Sequence, residues 1–166
     1  MLQWIKNVLA TGMLALVAAC GGGEESRPDI ASLAQQNPEL SFLAEAVAAA
    51  ELGPTLASPG PYTVFAPTNA AFDDLLTRFG MTKEALLADR ALLTRVLTYH
   101  VVAGRVLRNQ IPVGQPITTL QGDTFTVDAS LTMSDQCGCT AKVVSSDVLA
   151  GNGVVHVIDH VLLPRL

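Results

Sequence analysis

The sequence predicts one α+β domain, with helices in its first half and short strands in its second. Apolar residues of the first half recur at helical spacing, for example at Phe72, Leu75 and Phe79. After Pro112 the pattern changes towards a period of two, with short β-branched runs between turn residues. Helices that precede the strands, instead of alternating with them, favour an α+β domain over repeated βαβ units.

The composition is that of a folded, acidic protein. Hydrophobic residues make up 49% of the 166 residues and charged residues only 15%, so the chain can bury a sizeable core. The net charge is −5, and the lysines and arginines form no cluster along the sequence. Because binding to a phosphate backbone needs a concentrated basic face, we expect no nucleic-acid partner.

Two helices open the predicted domain. Pro28 and Asp29 precede a helix-like stretch at residues 30–36, which Asn37-Pro38 interrupts. A second helix carries apolar residues at helical spacing from Phe42 to Ala50, and Gly53-Pro54 is expected to end it.

The stretch YTVFAPTNAAF, residues 62–72, predicts a strand followed by a helix. Residues 62–65 form the strand and Pro67 ends it. Thr68 or Asn69 is expected to cap the following helix, since both side chains can accept a hydrogen bond from a free N–H of the first turn. Gly80 stands where a left-handed residue would end that helix.

Two more helices and a series of strands follow. A short helix is predicted from Thr82 and a longer one after Asp89, with His100 closing its apolar stripe. The strand-like runs are residues 117–120, 125–127, 131–133, 142–145 and 154–163.

The first twenty residues predict export. One cation, Lys6, precedes an apolar run that is too short to span a bilayer comfortably and ends in small residues. Val17-Ala18-Ala19-Cys20 resembles a bacterial lipobox, which implies removal of residues 1–19 and lipidation of Cys20. The alternative is an ordinary signal peptide that ends near a cysteine. Residues 20–27 then form a flexible tether, and Gly21, by resemblance to lipoprotein sorting, favours the outer membrane if the organism has one.

Cys137 and Cys139 flank Gly138, and their state is open at this point. Residues separated by one in a strand lie about 6.5 Å apart at Cα, near the limit for a disulfide, and Gly138 could tighten the turn. The alternatives are two free thiols in a hairpin loop or part of a metal site, although two thiolates do not complete a tetrahedral site. A redox-active pair usually has two intervening residues followed by a helix.

Three segments together resemble the fasciclin domain family: Tyr62–Phe72, Leu97–Val102 and Gly151–Pro164, the second of which contains Tyr99-His100. The resemblance covers roughly residues 27–164. It implies a compact fold in which helices pack on a curved β-sandwich or wedge, and a secreted or surface-attached protein associated with adhesion and matrix contacts, not an enzyme. Ala70, where members usually carry Glu, and the insertion of Cys137 to Cys139 depart from the family pattern.

Tyr99-His100 has two interpretations. The resemblance implies an adhesion determinant that contacts a partner. The other interpretation places His100 in the core, with its ring nitrogens hydrogen-bonded to backbone groups.

No catalytic or cofactor site is predicted. The chain has no Gly-x-Ser-x-Gly elbow and no phosphate-binding glycine loop, and Asp73-Asp74 is expected to be a solvated helix surface. His156 and His160 would lie about 13 Å apart on one regular strand, too far to share a metal ion.

These observations predict a non-enzymatic, lipid-anchored binding module of the bacterial envelope. Its organisation would be a signal peptide at 1–19, a lipidated tether at 20–27 and one domain at 28–166. The expected partner is a protein or polysaccharide at the cell surface or in the matrix. The alternative is an envelope carrier of a small apolar ligand or a metal.

Overall fold

The computed structural model describes residues 27–165, and the predicted signal peptide, Cys20 and most of the tether lie outside this range. The helices are α1 Ile30–Gln36, α2 Ser41–Ala49, α3 Gly53–Ala57, α4 Asn69–Phe79, α5 Lys83–Ala88 and α6 Arg90–Tyr99. The strands are β1 Tyr62–Pro67, β2 Val101–Ala103, β3 Pro116–Thr118, β4 Thr124–Val127, β5 Thr132–Ser134, β6 Thr140–Ala150 and β7 Gly153–Ile158. Two 3-10 turns lie at Pro38–Leu40 and Arg108–Gln110.

The seven strands form a sheet that almost closes on itself. Their order is β2-β1-β7-β6-β5-β4-β3, and only β1 and β7 run parallel. Bulges between Val143 and Val148 interrupt the pairing of β6 with β7, and such bulges bend a strand. The N–H of Leu120, just after β3, donates to the carbonyl of Val101 in β2 at 2.8 Å. This bond joins the two ends of the sheet order, so the sheet resembles a barrel.

The central strands separate two hydrophobic cores. The helix-side core lies between the helices and the sheet and includes Phe42, Phe72, Leu93, Leu97 and Val155. The barrel core lies inside the curved sheet and includes Phe65, Tyr99, Phe125, Met133 and Ile158. Because successive side chains of a strand point to opposite faces, β1 places Val64 in the first core and Phe65 in the second.

The α+β prediction, with helices packed on a curved sheet, is confirmed. Helix starts were readable because their caps are local: the side chains of Asp29, Thr82 and Asp89 accept hydrogen bonds from the first turns of α1, α5 and α6. Gly80, with φ of 61°, ends α4 in the left-handed conformation.

Three predicted boundaries were wrong. Gly53-Pro54 begins α3 instead of only ending α2, because proline fits the first turn of a helix. The strand predicted at 142–145 extends over Thr140–Ala150, since its bulges shift the alternation and hide the period of two. The run predicted to continue to residue 163 ends as a strand at Ile158, although Val161, Leu162 and Leu163 remain buried in the two cores.

Between residues 27 and 165, no helix combines the length and apolar character needed to cross a membrane.

Candidate functional site

His100 ends α6 and is fully enclosed by the fold. Its Nδ1 lies 2.7 Å from the carbonyl oxygen of Val96, and its Nε2 lies 2.9 Å from the backbone nitrogen of Leu162. An N–H can only donate, so Nε2 is the acceptor and Nδ1 carries the proton. Burial lowers the pKa of His100 to about 4, because the charged ring would lose its hydration. The ring is therefore a neutral link between α6 and the C-terminal segment.

Tyr99 fills the barrel core next to His100. Its side chain is 0% exposed, and its hydroxyl donates to the carbonyl of Thr124 at 2.9 Å. Its ring meets that of Phe125 edge to face, with 6.1 Å between centroids. Burial, together with the charge of Asp135, raises the pKa of the phenol. Tyr99 thus fastens α6 to the barrel interior.

His156 is a second buried imidazole, on β7. Its Nδ1 accepts from the N–H of Asp147 at 3.3 Å, and its Nε2 lies 2.8 Å from the carbonyl of Val106, to which it donates. The ring stacks on Phe65 with centroids 5.3 Å apart, and burial lowers the pKa of His156. It therefore carries the proton on the opposite nitrogen from His100.

These contacts support the core interpretation of the Tyr99-His100 motif. Both side chains are buried and each polar atom has a backbone partner, so in this conformation neither side chain is available to a partner. The two histidines of the β7 segment, His156 and His160, also differ in their exposure to solvent. His156 is buried, whereas His160 is exposed and its Nδ1 lies 2.9 Å from Asp159 Oδ1.

The two capping candidates serve different helices. Thr68 Oγ1 accepts from the N–H of Ala71 at 3.3 Å, in the first turn of α4. Asn69 instead reaches across to the start of α2, where its Oδ1 accepts from the N–H of Phe42 at 2.9 Å. Its Nδ2 donates to the carbonyl of Pro38, also at 2.9 Å. Asn69 therefore holds α2 and α4 together.

Asn152 makes comparable long-range bonds that the sequence did not indicate. It precedes β7, and its Oδ1 accepts from the N–H of Ile30 at 3.0 Å. Its Nδ2 donates to the carbonyls of Leu56 and Ser58. The only signal was its position in a Gly-Asn-Gly turn, which indicates a loop but not the segments that the side chain joins.

Asp135 organises the hairpin between β5 and β6. Its Oδ1 accepts from the N–H groups of Cys137 and Cys139 at 2.9 and 2.8 Å, and its Oδ2 accepts from the N–H of Leu163 at 2.9 Å. Gly138 has φ of +83°, a conformation that favours glycine. This buried carboxylate thus fixes the turn that carries both cysteines, a role that sequence reasoning missed.

The structure holds Cys137 and Cys139 as free thiols. Cys137 Sγ donates to the carbonyl of Pro164 at 3.5 Å, and Arg78 Nη1 lies 3.6 Å from Cys139 Sγ. Within residues 27–165, no three His, Cys, Asp or Glu side chains converge as a metal site. The disulfide stays a prediction.

An apolar cavity of about 290 Å³ lies between α1 and the sheet. Its walls include Leu33 and Ala34 of α1 and Val64 of β1. A smaller cavity of about 80 Å³ shares Ala34 and Val64 and extends to His100.

Comparison with known proteins identifies the family. Residues 38–164 match the model of the Fasciclin domain. Protein sll1483 of Synechocystis sp. is 40% identical over 146 residues, which are 86% of this chain and 77% of the relative. The chain therefore belongs to the fasciclin domain family, and the resemblance seen in the sequence is confirmed.

Two mycobacterial relatives have a similar level of sequence identity to this chain. Immunogenic protein MPT70 of Mycobacterium tuberculosis is 40% identical over 150 residues, covering 84% of this chain and 70% of the relative. Cell surface glycolipoprotein MPT83 of the same species is 39% identical over 140 residues, covering 81% of this chain and 60% of the relative.

A solved structure shares the fold. It is a FAS1 domain pair from the insect cell adhesion molecule fasciclin I, with a TM-score of 0.70 and 14% sequence identity. The match covers 82% of this chain and 51% of the pair, so the chain spans about half of that structure.

Proposed function

We propose that this chain is an extracellular, adhesion-type fasciclin module that is held to the bacterial envelope by a lipid on Cys20. Family membership carries the proposal, together with a relative of which 60% is covered and whose name is cell surface glycolipoprotein. Such a module binds a protein or polysaccharide partner and performs no enzymatic reaction.

The proposed anchoring follows from the first twenty-seven residues. Residues 1–19 act as a signal peptide, Cys20 carries the lipid, residues 20–27 form a flexible tether and residues 28–166 form the binding domain. Gly21 directs the protein to the outer membrane if the organism has one. A single acyl chain gives only marginal membrane binding, so stable anchoring at Cys20 needs a second signal, such as a second acyl chain.

Labelling with a palmitate analogue tests the anchor. We expect the wild type to be labelled and to fractionate with membranes, and Cys20→Ala to be unlabelled. Cys137→Ala is the matched control, because it removes a thiol of the folded domain and should keep the label. Unlabelled wild-type protein released in soluble form would refute the anchor.

The contact surface must consist of exposed side chains, since Tyr99 and His100 are buried. Val113 and Leu120 flank β3, and both are exposed large apolar residues. They are two of the four large hydrophobic side chains that are exposed within residues 27–165, and both lie beside the same strand. We propose a partner contact at the β3 end of the sheet.

Binding to intact cells of the source organism tests this contact. The full chain with Cys20→Ser, fluorescently labelled, should bind, and Val113→Ser/Leu120→Ser should bind less with an unchanged unfolding curve. Val144→Ser is the control, since it also removes an exposed apolar group but lies on β6. Protease or periodate treatment of the cells distinguishes a protein from a polysaccharide partner. Equal binding of all variants would contradict the contact.

A carrier of a small apolar ligand is the second candidate, and the cavity of about 290 Å³ under α1 favours it. Its volume approaches the lower end of ligand sites, and its walls are mostly apolar. Native mass spectrometry of protein from its own host should then show a bound ligand that Ala34→Phe excludes. If the protein carries no ligand, the carrier function is excluded and the adhesion module is the one remaining candidate.

A further inference from the structure

The hairpin between β5 and β6 presents two thiols to one open cavity. The cavity has a volume of about 520 Å³ and is lined by Arg78, Phe79, Cys137, Cys139, Leu163 and Arg165. Asp135 fixes the turn from inside, because one of its oxygens accepts from the N–H groups of both cysteines. The backbone of both cysteines is therefore fixed, and both side chains line one cavity that a small solute can reach.

The two sulfurs have different surroundings. The guanidinium of Arg78 lies 3.6 Å from Cys139 Sγ, and a neighbouring positive charge stabilises a thiolate. Cys137 Sγ faces the carbonyl of Pro164 at 3.5 Å, and a carbonyl can accept a bond only from the protonated S–H. Burial and the charge of Asp135 raise the pKa of Cys137. The contact with Arg78 thus favours Cys139 Sγ as the attacking atom, and the bond to Pro164 holds Cys137 as a thiol.

The charge of the cavity points to an anionic substrate. Arg78 and Arg165 line it, and neither belongs to an ion pair found among residues 27–165. The chain as a whole is acidic, with a net charge of −5, so the positive charge at this cavity is opposite in sign to that of the chain. Arginines attract carboxylates over several ångströms and bind them with paired N–H donors.

We propose that Cys137, Gly138 and Cys139 form a thiol–disulfide exchange site for small disulfides that carry carboxylates. The Cys139 thiolate attacks one sulfur of the substrate, forms a mixed disulfide and releases one substrate half as a thiolate, which takes up a proton. Cys137 then loses its proton and attacks Cys139 Sγ. This step forms the Cys137–Cys139 disulfide and releases the second half as a thiol, so the substrate is reduced by two electrons and the protein oxidised by two.

This site is independent of adhesion and anchoring. It also differs from the usual redox pair, which has two intervening residues and a helix. Here the buried Asp135 and the positive φ of Gly138 position the thiols instead.

Mass spectrometry of trapped intermediates tests the order of attack. The full chain with Cys20→Ser, reduced and then exposed to oxidised glutathione, should end with an internal disulfide and no adduct. Cys137→Ser should accumulate one glutathione on Cys139, whereas Cys139→Ser should react about tenfold more slowly at neutral pH. Wild-type protein with glutathione on both cysteines, or equal rates for the two variants, would overturn the proposal.

The charge of the disulfide tests the role of the arginines. Oxidised glutathione should react faster than neutral hydroxyethyl disulfide, and cationic cystamine should react most slowly. Arg78→Gln should slow the reaction with glutathione more than that with hydroxyethyl disulfide. Arg90→Gln, which removes an exposed arginine paired with Glu51, is the control and should change neither rate. Rates independent of probe charge would exclude an anionic substrate.

Discussion

The buried imidazoles and the exposed thiols show two ways in which this fold uses reactive side chains. His100 and His156 have a backbone partner for each ring nitrogen, and both are buried. Cys137 and Cys139 have long sulfur contacts and line an open cavity. The imidazoles therefore stabilise one conformation, whereas the thiols remain free to react.

The difference follows the family pattern. His100 and His156 belong to two of the segments by which the sequence resembles fasciclin domains, whereas the two cysteines lie in an insertion that departs from it. Residues that match the fasciclin pattern thus build the fold, whereas the segment that departs from it carries the two thiols of the proposed exchange site. The following variants test that division, from the largest expected effect to the smallest.

His100→Ala should lower the free energy of unfolding by about 3–5 kcal/mol, because it leaves a cavity and two buried backbone groups without partners. Urea unfolding measures the change. His160→Ala is the control: this exposed histidine should alter stability by less than about 0.5 kcal/mol. Similar losses for both variants would show that His100 is not a core residue.

Stability should fall as the pH is lowered from about 6.5 to about 4. Below pH 6.5 the unfolded chain protonates His100, but the folded chain does not until about pH 4. The unfolded state therefore binds more protons in this window, and stability rises with pH by about 1.4 kcal/mol per unit at most for this group. The lowered pKa of His156 acts in the same direction.

Unfolding in urea at several pH values measures this slope. His100→Gln should make this pH slope shallower, since Gln does not titrate. A wild-type slope equal to that of His100→Gln would contradict the pKa shift of His100.

Asn69→Ala should cost about 2 kcal/mol, because the side chain makes several bonds between the starts of α2 and α4. Thr68→Ala should cost about 1 kcal/mol, the usual loss of a single helix cap. Thermal unfolding compares the two variants. A larger loss for Thr68→Ala would show that the bonds of Asn69 across to α2 contribute little.

Gly138→Ala should cost about 1 kcal/mol, because alanine at a positive φ is strained while the space around the glycine is open. Gly53→Ala, at a site that is also open but has no positive φ, should cost less. Equal losses in chemical denaturation would show that the turn of the hairpin can adopt another backbone conformation.

Cys139→Ser should change the free energy of unfolding by less than about 0.5 kcal/mol, because the sulfur is only partly buried and its contact with Arg78 is long. The same variant should slow the reaction with oxidised glutathione about tenfold. A stability loss comparable to that of His100→Ala would erase the contrast between the core and the hairpin.

Local signals made most of the fold predictable. Asp89 caps α6 within three residues, and the apolar stripe of α4 reflects its own helical period. The course of β6 was not readable, because bulges depend on how the strand meets β7. Elements defined by short-range chemistry were thus predicted better than those defined by their neighbours.

The candidate sites were predictable only in part. The sequence marked Cys137 and Cys139 as a pair, but Arg78 meets Cys139 across 61 positions, and no local pattern reports such a contact. The sequence predicts that Thr68 or Asn69 caps α4, but only Thr68 does so, and Asn69 bonds to the start of α2, 27 residues earlier in the chain. Both contacts, of Arg78 with Cys139 and of Asn69 with Phe42, exist only because the packing brings distant segments of the chain together.

Nuclear magnetic resonance of the His100 imidazole tests most directly whether the Tyr99-His100 motif is part of the core. In ¹⁵N spectra recorded between pH 7 and pH 4, we expect His100 to remain neutral with its proton on Nδ1, bonded to Val96, until about pH 4. An imidazole that titrates near pH 6.5, or that carries its proton on Nε2, would contradict the account.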